Sequence, residues 1–144
     1  MTYDPENIFA KIVRGEAPAY KVYEDDRTLA FMDLMPQVEG HTLVIPKSPA
    51  VDLIDIDPES LSKTILATQQ IAKAVKGAFN ADGVMIAQLS GRAAGQSVFH
   101  LHFHILPRHG GIDFQLHAQT VAPAEQLEAN AEKIKKALAE LASS

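Results

Sequence analysis

Cysteine is absent from all 144 residues. A disulfide scaffold, a thiolate zinc site and a cysteine nucleophile are therefore excluded. Tryptophan is absent as well. No apolar run approaches the ~20 residues that cross a membrane, so no membrane association is expected. The first residues, Met1-Thr2-Tyr3-Asp4-Pro5-Glu6-Asn7, are polar and acidic. They lack the basic stretch and apolar core of a secretory signal, and a cytoplasmic location is expected. Positive charge is in deficit: 13 Lys and Arg against 18 Asp and Glu give −5. Long-range attraction of a nucleic-acid polymer is not expected from that balance. A phosphate-bearing small molecule would need a local site. What remains is ordinary globular material, 47% apolar and 22% charged. The length predicts one domain over residues 1–144, burying about two thirds of its extended surface.

The pattern along the chain predicts an α+β domain. Asp4 before Pro5 reads as a helix cap, and Ile8, Phe9, Ile12 and Val13 make one apolar face that Gly15 ends. Strand-like runs follow at residues 20–24, 28–34 and 41–46. Asp25-Asp26-Arg27 forms a tight turn between the first two. A long helix is predicted over residues 58 to about 79, capped by Asp57, with Leu61, Ile65, Ala72, Val75 and Phe79 as its buried stripe. Strands at 84–89 and 98–106 flank a small-residue loop. A last helix is predicted from residue 123 to about 141, with Leu127, Ala131, Ile134, Leu138 and Leu141 as its apolar stripe.

The chemistry concentrates in Phe99-His100-Leu101-His102-Phe103-His104-Ile105-Leu106. In a strand the apolar residues face one way into a core and the three histidines face the other. Their side chains would start about 6.6 Å apart. A merely wet strand face is served equally well by threonine, lysine or glutamate. Two chemical readings stay open on the residues alone. Histidines at i and i+2 on a strand can chelate zinc, but no Asp or Glu lies between residues 83 and 112 to join them. Alternatively, imidazoles titrating near neutrality can attack phosphorus and transfer protons. The preceding Gly91-Arg92-Ala93-Ala94-Gly95-Gln96-Ser97 has small residues that let backbone N–H groups approach an anion, and Gln96 and Ser97 offer side-chain donors.

The run from Gly95 to Leu106 resembles the signature of the histidine triad family, His-φ-His-φ-His-φ-φ with φ apolar. Ile8-Phe9-Ala10-Lys11-Ile12-Val13-Arg14-Gly15-Glu16 resembles the opening helix of that family. Ala30-Phe31-Met32-Asp33 and Gly40-His41-Thr42-Leu43-Val44-Ile45-Pro46-Lys47 resemble its next two blocks. The resemblance implies a five-stranded antiparallel sheet with a short N-terminal, a long central and a C-terminal helix. It also implies a homodimer and a nucleotide substrate. In the family the middle histidine attacks the α-phosphorus and forms a transient nucleotidyl-histidine. That role falls on His102. His100 and His104 would orient it and handle the leaving group's proton, with His41 as a fourth, supporting histidine. Asp33 matches a carboxylate that holds ribose hydroxyls. Ile8, Phe9, Ile12, Phe31 and Leu34 match the base pocket, and Gly95, Gln96 and Ser97 match the α-phosphate contacts. No cofactor and no metal is implied for this chemistry.

Plainer roles stand beside these. The apolar residues could serve only the core, Asp33 could cap a turn, and His41 could be structural. His109 and His117 read as loop residues, and Lys47, Arg92 and Arg108 as solvated, with Arg92 within possible reach of a leaving phosphate. Some relatives carry two zinc-binding cysteines around the Ile-Phe pair; Asn7 and Ala10 stand there, so that zinc site is not expected. Met85, Leu89 and Ser90 occupy places where relatives often have asparagine, and Leu89 cannot hydrogen-bond a phosphate. The absence of tryptophan sets the chain apart from the branch with a Trp-containing tail. Two rivals follow: a metal-dependent hydrolase using the same histidines, and a nucleotide-binding protein with little catalysis.

Overall fold

A computed structural model describes residues 1–111 and 121–143. His117 and the rest of the segment 112–120 lie outside the described residues, as does residue 144. Met1–Gly111 form one compact unit and Ile112–Ser144 another.

In the first unit, α1 (Ile8–Val13) is capped by Asn7, whose side chain accepts from Ala10 N at 2.9 Å. The cap expected at Asp4 is thus displaced by three residues. Asp4 instead closes the turn before the helix, its carboxylate accepting from Glu6 N at 2.9 Å. Strands β1 (Lys21–Glu24) and β2 (Thr28–Met32) follow. Asp25 makes the connection between them by accepting from Arg27 N at 2.8 Å and Thr28 N at 2.7 Å, the side-chain mimicry that suits Asp to turns. Strand β3 (Thr42–Pro46) leads to α2 (Pro58–Ala78), where Asp57 caps as expected and accepts from Ser60 N at 2.8 Å. Then come β4 (Gly83–Ala87), a 3₁₀ turn at Arg92–Ala94 and β5 (Phe103–Arg108).

The five strands form an antiparallel sheet in the order β1-β2-β3-β5-β4. With the three α-helices among the described residues this is the α+β architecture expected. Alternation assigns the two faces. Leu29, Phe31, Leu43 and Ile45 pack with Phe9 and Ile12 of α1. Ala30, Val44 and Ile105 pack with Ala67, Ile71 and Val75 of α2.

Two further sequence expectations need correction. The strand predicted from residue 98 begins only at Phe103, and residues 98–102 are irregular. The register Val44↔Phe103 would bring Leu101 opposite Pro46. Proline has no N–H to continue that ladder. Leu101 N instead donates to Ala50 O at 2.8 Å. The buried stripe of α2 is also shifted: Val75 is buried as expected and Leu61, Ala72 and Phe79 pack partly buried against the core, but Ile65 is 43% exposed and Ser60, Thr64, Ala67, Thr68 and Ile71 are buried instead. The hydroxyls of Thr64 and Thr68 donate to the carbonyls of Ser60 and Thr64, at 2.7 and 2.8 Å, so these polar residues can be buried.

The second unit is described by α3 (Ala124–Ala142). Pro123 O accepts from Gln126 N and Leu127 N at its start. Leu127 of the expected stripe is exposed. Among the described residues no helix is long and apolar enough to cross a membrane.

Candidate functional site

The α1 face of the sheet carries the histidines. His104 lies opposite Leu43 in the β3–β5 ladder, His41 precedes β3, and His102 sits just before β5. The ring centroids of His102 and His104 are 4.9 Å apart, and those of His41 and His104 are 5.1 Å apart. Phe9 packs edge-on against His102 at 5.0 Å.

Hydrogen bonds fix which nitrogen of each neutral ring carries the proton. A carbonyl only accepts, so His102 Nδ1–H donates to His100 O at 2.7 Å. His102 Nε2 is therefore the bare nitrogen. Gln37 N donates to His41 Nδ1 at 3.1 Å, which puts the His41 proton on Nε2. His41 Nε2–H then donates to His104 Nδ1 at 2.9 Å, and His104 carries its own proton on Nε2.

His100 behaves differently from the other two. Its Nε2–H donates to Pro46 O at 2.8 Å, its Nδ1 accepts from the Tyr3 hydroxyl at 2.6 Å, and it is 1% exposed. The expected convergence of three rings is thus corrected to two, because the chain leaves the ladder at Pro46 and the His100 ring is spent inside the protein.

Burial pushes the proton affinities of His41, His100 and His102 below the ordinary imidazole range. His104 is pushed down to about 4 by burial and by repulsion from His102 and His41, with Asp33 opposing. All four rings are therefore neutral at pH 7. Asp33 Oδ1 accepts from Met35 N at 2.9 Å, and Oδ2 lies 3.4 Å from His41 Nε2. Asp33, His41 and His104 offer atoms within 4.8 Å of one another. A metal there would need bare lone pairs on both facing nitrogens, yet one of them carries the proton of their hydrogen bond.

These groups open on a cavity of about 400 Å³. Ile8, Phe9, Ile12, Phe31, Leu34, Asp33, His41, Gly95, Ser97, His102 and His104 line it. Phe9, Ile12 and Phe31 are buried, whereas Ile8 and Leu34 stand exposed at the mouth. Leu89 also lines it and lies in the tightly packed surroundings of Gly95: a Cβ added there would come within 3.3 Å of Leu89 Cδ1. Gln96 is not among the lining residues. Its Oε1 accepts from Gly91 N at 2.8 Å and its Nε2 donates to Val51 O at 2.7 Å and Val98 O at 3.0 Å. The side chain braces the loop and has no donor left for a ligand. Arg92 lies 4.7 Å over the Phe99 ring, and His109 bonds to Phe79 O at 2.9 Å on the surface. A larger hollow of about 580 Å³ lies between α2 and β4, but its mostly apolar lining includes Lys73 and Lys76 and neither a histidine nor a carboxylate. Convergent histidines and a carboxylate make the smaller cavity the candidate site.

Sequence reasoning missed Tyr3 and the backbone of Gln37. Tyr3 meets His100 across 97 residues, and no local period could signal such a contact.

Residues 14–111 match the profile of the HIT domain. The chain is 39% identical over 137 residues to the protein Hit of Bacillus subtilis, covering 92% of this chain and 94% of that one. It is 38% identical over 107 residues to the adenosine 5′-monophosphoramidase HNT1 of Saccharomyces cerevisiae, covering 74% of this chain and 65% of that one. The crystal structure of a Hit-like protein from Bartonella henselae superposes with a TM-score of 0.76 at 52% identity, covering 95% of this chain and 99% of that one.

Proposed function

The chain belongs to the HIT domain family, and from that premise we propose that it is a nucleotide hydrolase or nucleotidyl transferase acting at the α-phosphate through a covalent intermediate on His102. The observation that carries this reading is the donation of His102 Nδ1–H to His100 O, which leaves Nε2 bare in a cavity shared with His104 and Asp33.

In the first step His102 Nε2 bonds to the α-phosphorus and the bond to the leaving group breaks. An amine leaving group needs a proton, and the His41–His104 pair supplies it from His104 Nε2 when the pair holds one proton beyond its neutral state. In the second step water attacks phosphorus, the P–Nε2 bond breaks, and the water's proton returns to the pair. Asp33 has the two-oxygen acceptor chemistry to hold ribose hydroxyls, and the Phe9, Ile12 and Phe31 wall suits a base. The name of the yeast relative favours an adenosine phosphoramidate as substrate. Dinucleoside polyphosphates are the alternative, since a phosphate leaves without protonation. Leu89, which brings no donor to the cavity, favours a second reading in which nucleotide is held and chemistry is weak.

The exposed face between α2 and β4 supports a homodimer. Ile65, Leu66 and Ile86 are 43%, 61% and 42% exposed, and β4 is an edge strand. A second copy would cover both.

The test is rapid quench of an adenosine phosphoramidate reaction in EDTA, followed by mass analysis of the peptide bearing His102. A nucleotidyl adduct on His102 that His102→Ala abolishes is expected, with turnover falling at least about 10³-fold. Binding without turnover supports the second reading. Activity lost in EDTA and restored by zinc supports a metal mechanism.

A further inference from the structure

We propose that Tyr3 is a positioning residue for the His102 nucleophile, acting through His100. The proposal rests on the reading of His102 as nucleophile. Tyr3 itself precedes residues 14–111, the span that matches the family profile.

Residues 98–102 have no strand ladder to hold them, yet the His100 carbonyl must stay aimed at His102 Nδ1–H. Tethers do that work instead. Leu101 N bonds to Ala50 O at 2.8 Å, His100 Nε2–H donates to Pro46 O at 2.8 Å, and the Tyr3 hydroxyl donates to His100 Nδ1 at 2.6 Å. The Tyr3 ring also meets the His100 ring edge-on at 5.6 Å. Tyr3 is set in place by the Asp4 turn and the Asn7 cap, which start the helix whose Phe9 packs on His102. One short segment thus touches both His100 and His102.

The hydroxyl fixes a chemical state as well as a position. With Nδ1 occupied by a donor, His100 stays neutral and keeps its proton on Nε2, facing Pro46. Attack on phosphorus makes the His102 ring cationic. A neutral His100 whose carbonyl accepts from Nδ1–H stabilises that cation, whereas a protonated His100 would repel it. Without the hydroxyl, a buried nitrogen loses its partner and becomes free to take a proton.

The experiment is Tyr3→Phe in the full chain, which removes one oxygen and keeps the ring. Nitrogen-15 spectra of the histidine side chains are followed from pH 5 to 8. In the wild type His100 keeps a bare Nδ1 and a protonated Nε2 across that range. In Tyr3→Phe its nitrogens are expected to shift and titrate. The kcat for an adenosine phosphoramidate falls about five- to tenfold, the share of one hydrogen bond, while KM stays within about twofold and the acid limb of the rate profile moves up in pH. Unchanged His100 signals overturn the proposal. So does a lower melting temperature with unchanged kcat, which makes Tyr3 merely structural. Wild-type protein that turns over no nucleotide removes the underlying reading of His102, an outcome visible before the variant is made.

Discussion

Asp33 Oδ2 stands 3.4 Å from His41 Nε2, which in turn donates to His104 Nδ1 at 2.9 Å. The carboxylate is too far for a tight ion pair but close enough to favour a proton on the two rings, against the burial that disfavours it. A bound nucleotide adds its α-phosphate charge in the same direction.

A dependence on the leaving group follows. The free pair is neutral at pH 7, with His104 near 4. An amine needs the protonated pair, so kcat for a phosphoramidate falls as pH rises. A phosphate leaving group needs no proton, so its rate is flat over the same range. Both substrates lose rate on the acid side as His102 protonates, at a pH below about 6.5 because its affinity is lowered. Parallel pH profiles for the two substrate classes would remove the pair from the acid role.

Asp33→Asn separates sugar binding from this electrostatic effect. Loss of a charged hydrogen bond to ribose raises KM about tenfold or more. Loss of the negative charge moves the alkaline limb of the phosphoramidate profile to lower pH, because the pair then protonates less readily. A 2′-deoxy substrate should cost the wild type affinity and cost Asp33→Asn little. Equal penalties for the two proteins would show that Asp33 does not hold the sugar.

The fold was legible where a local period carried it. Leu29, Phe31, Leu43 and Ile45 alternate as sheets require, and Asp57-Pro58 starts α2 as its chemistry predicts. The ends of elements were less legible. Residues 98–102 alternate as a strand does, but Pro46 on the neighbouring strand ends the pairing. Such a limit lies in the partner and not in the segment itself. Ile65 fits the apolar spacing of the α2 stripe, yet the helix is turned so that Thr64 and Thr68 are buried beside Ile71 and Val75 and Ile65 is left 43% exposed. His102 and His104 converge as their alternation suggested, and His41 and Asp33 join them as the family resemblance implied. Gln96 did not, because an amide with four hydrogen-bonding positions satisfies a buried loop as readily as a ligand.

Four histidines kept neutral by burial make stability depend on pH. His41, His100, His102 and His104 each bind a proton less readily folded than unfolded. Unfolding therefore takes up protons below the unfolded value of about 6.5. Stability is full above that pH and is lost as pH falls toward the lowered folded values. Each ring adds a slope of up to about 1.4 kcal/mol per pH unit. Urea denaturation at pH 8, 6 and 5 should show the decline, and His104→Gln should flatten it. A constant free energy of unfolding from pH 8 to 5 would mean that the rings take up protons as readily in the fold as in the unfolded chain.

The outer face of α2 offers a test of assembly. Leu66 is the most exposed of the apolar residues there, and Ile86 lies on the adjoining edge strand. In a two-fold dimer each substitution acts twice. Burial of one such side chain is worth about 1.5–3 kcal/mol, so Leu66→Glu should weaken association at least about a hundredfold. Sedimentation equilibrium of wild type and variant reads that shift directly. Because the face lies across the sheet from the histidine cavity, nucleotide affinity should survive in the variant monomer. Wild-type protein that stays monomeric at high micromolar concentration would leave these apolar residues without a second copy to cover them, and the dimer would have to be abandoned.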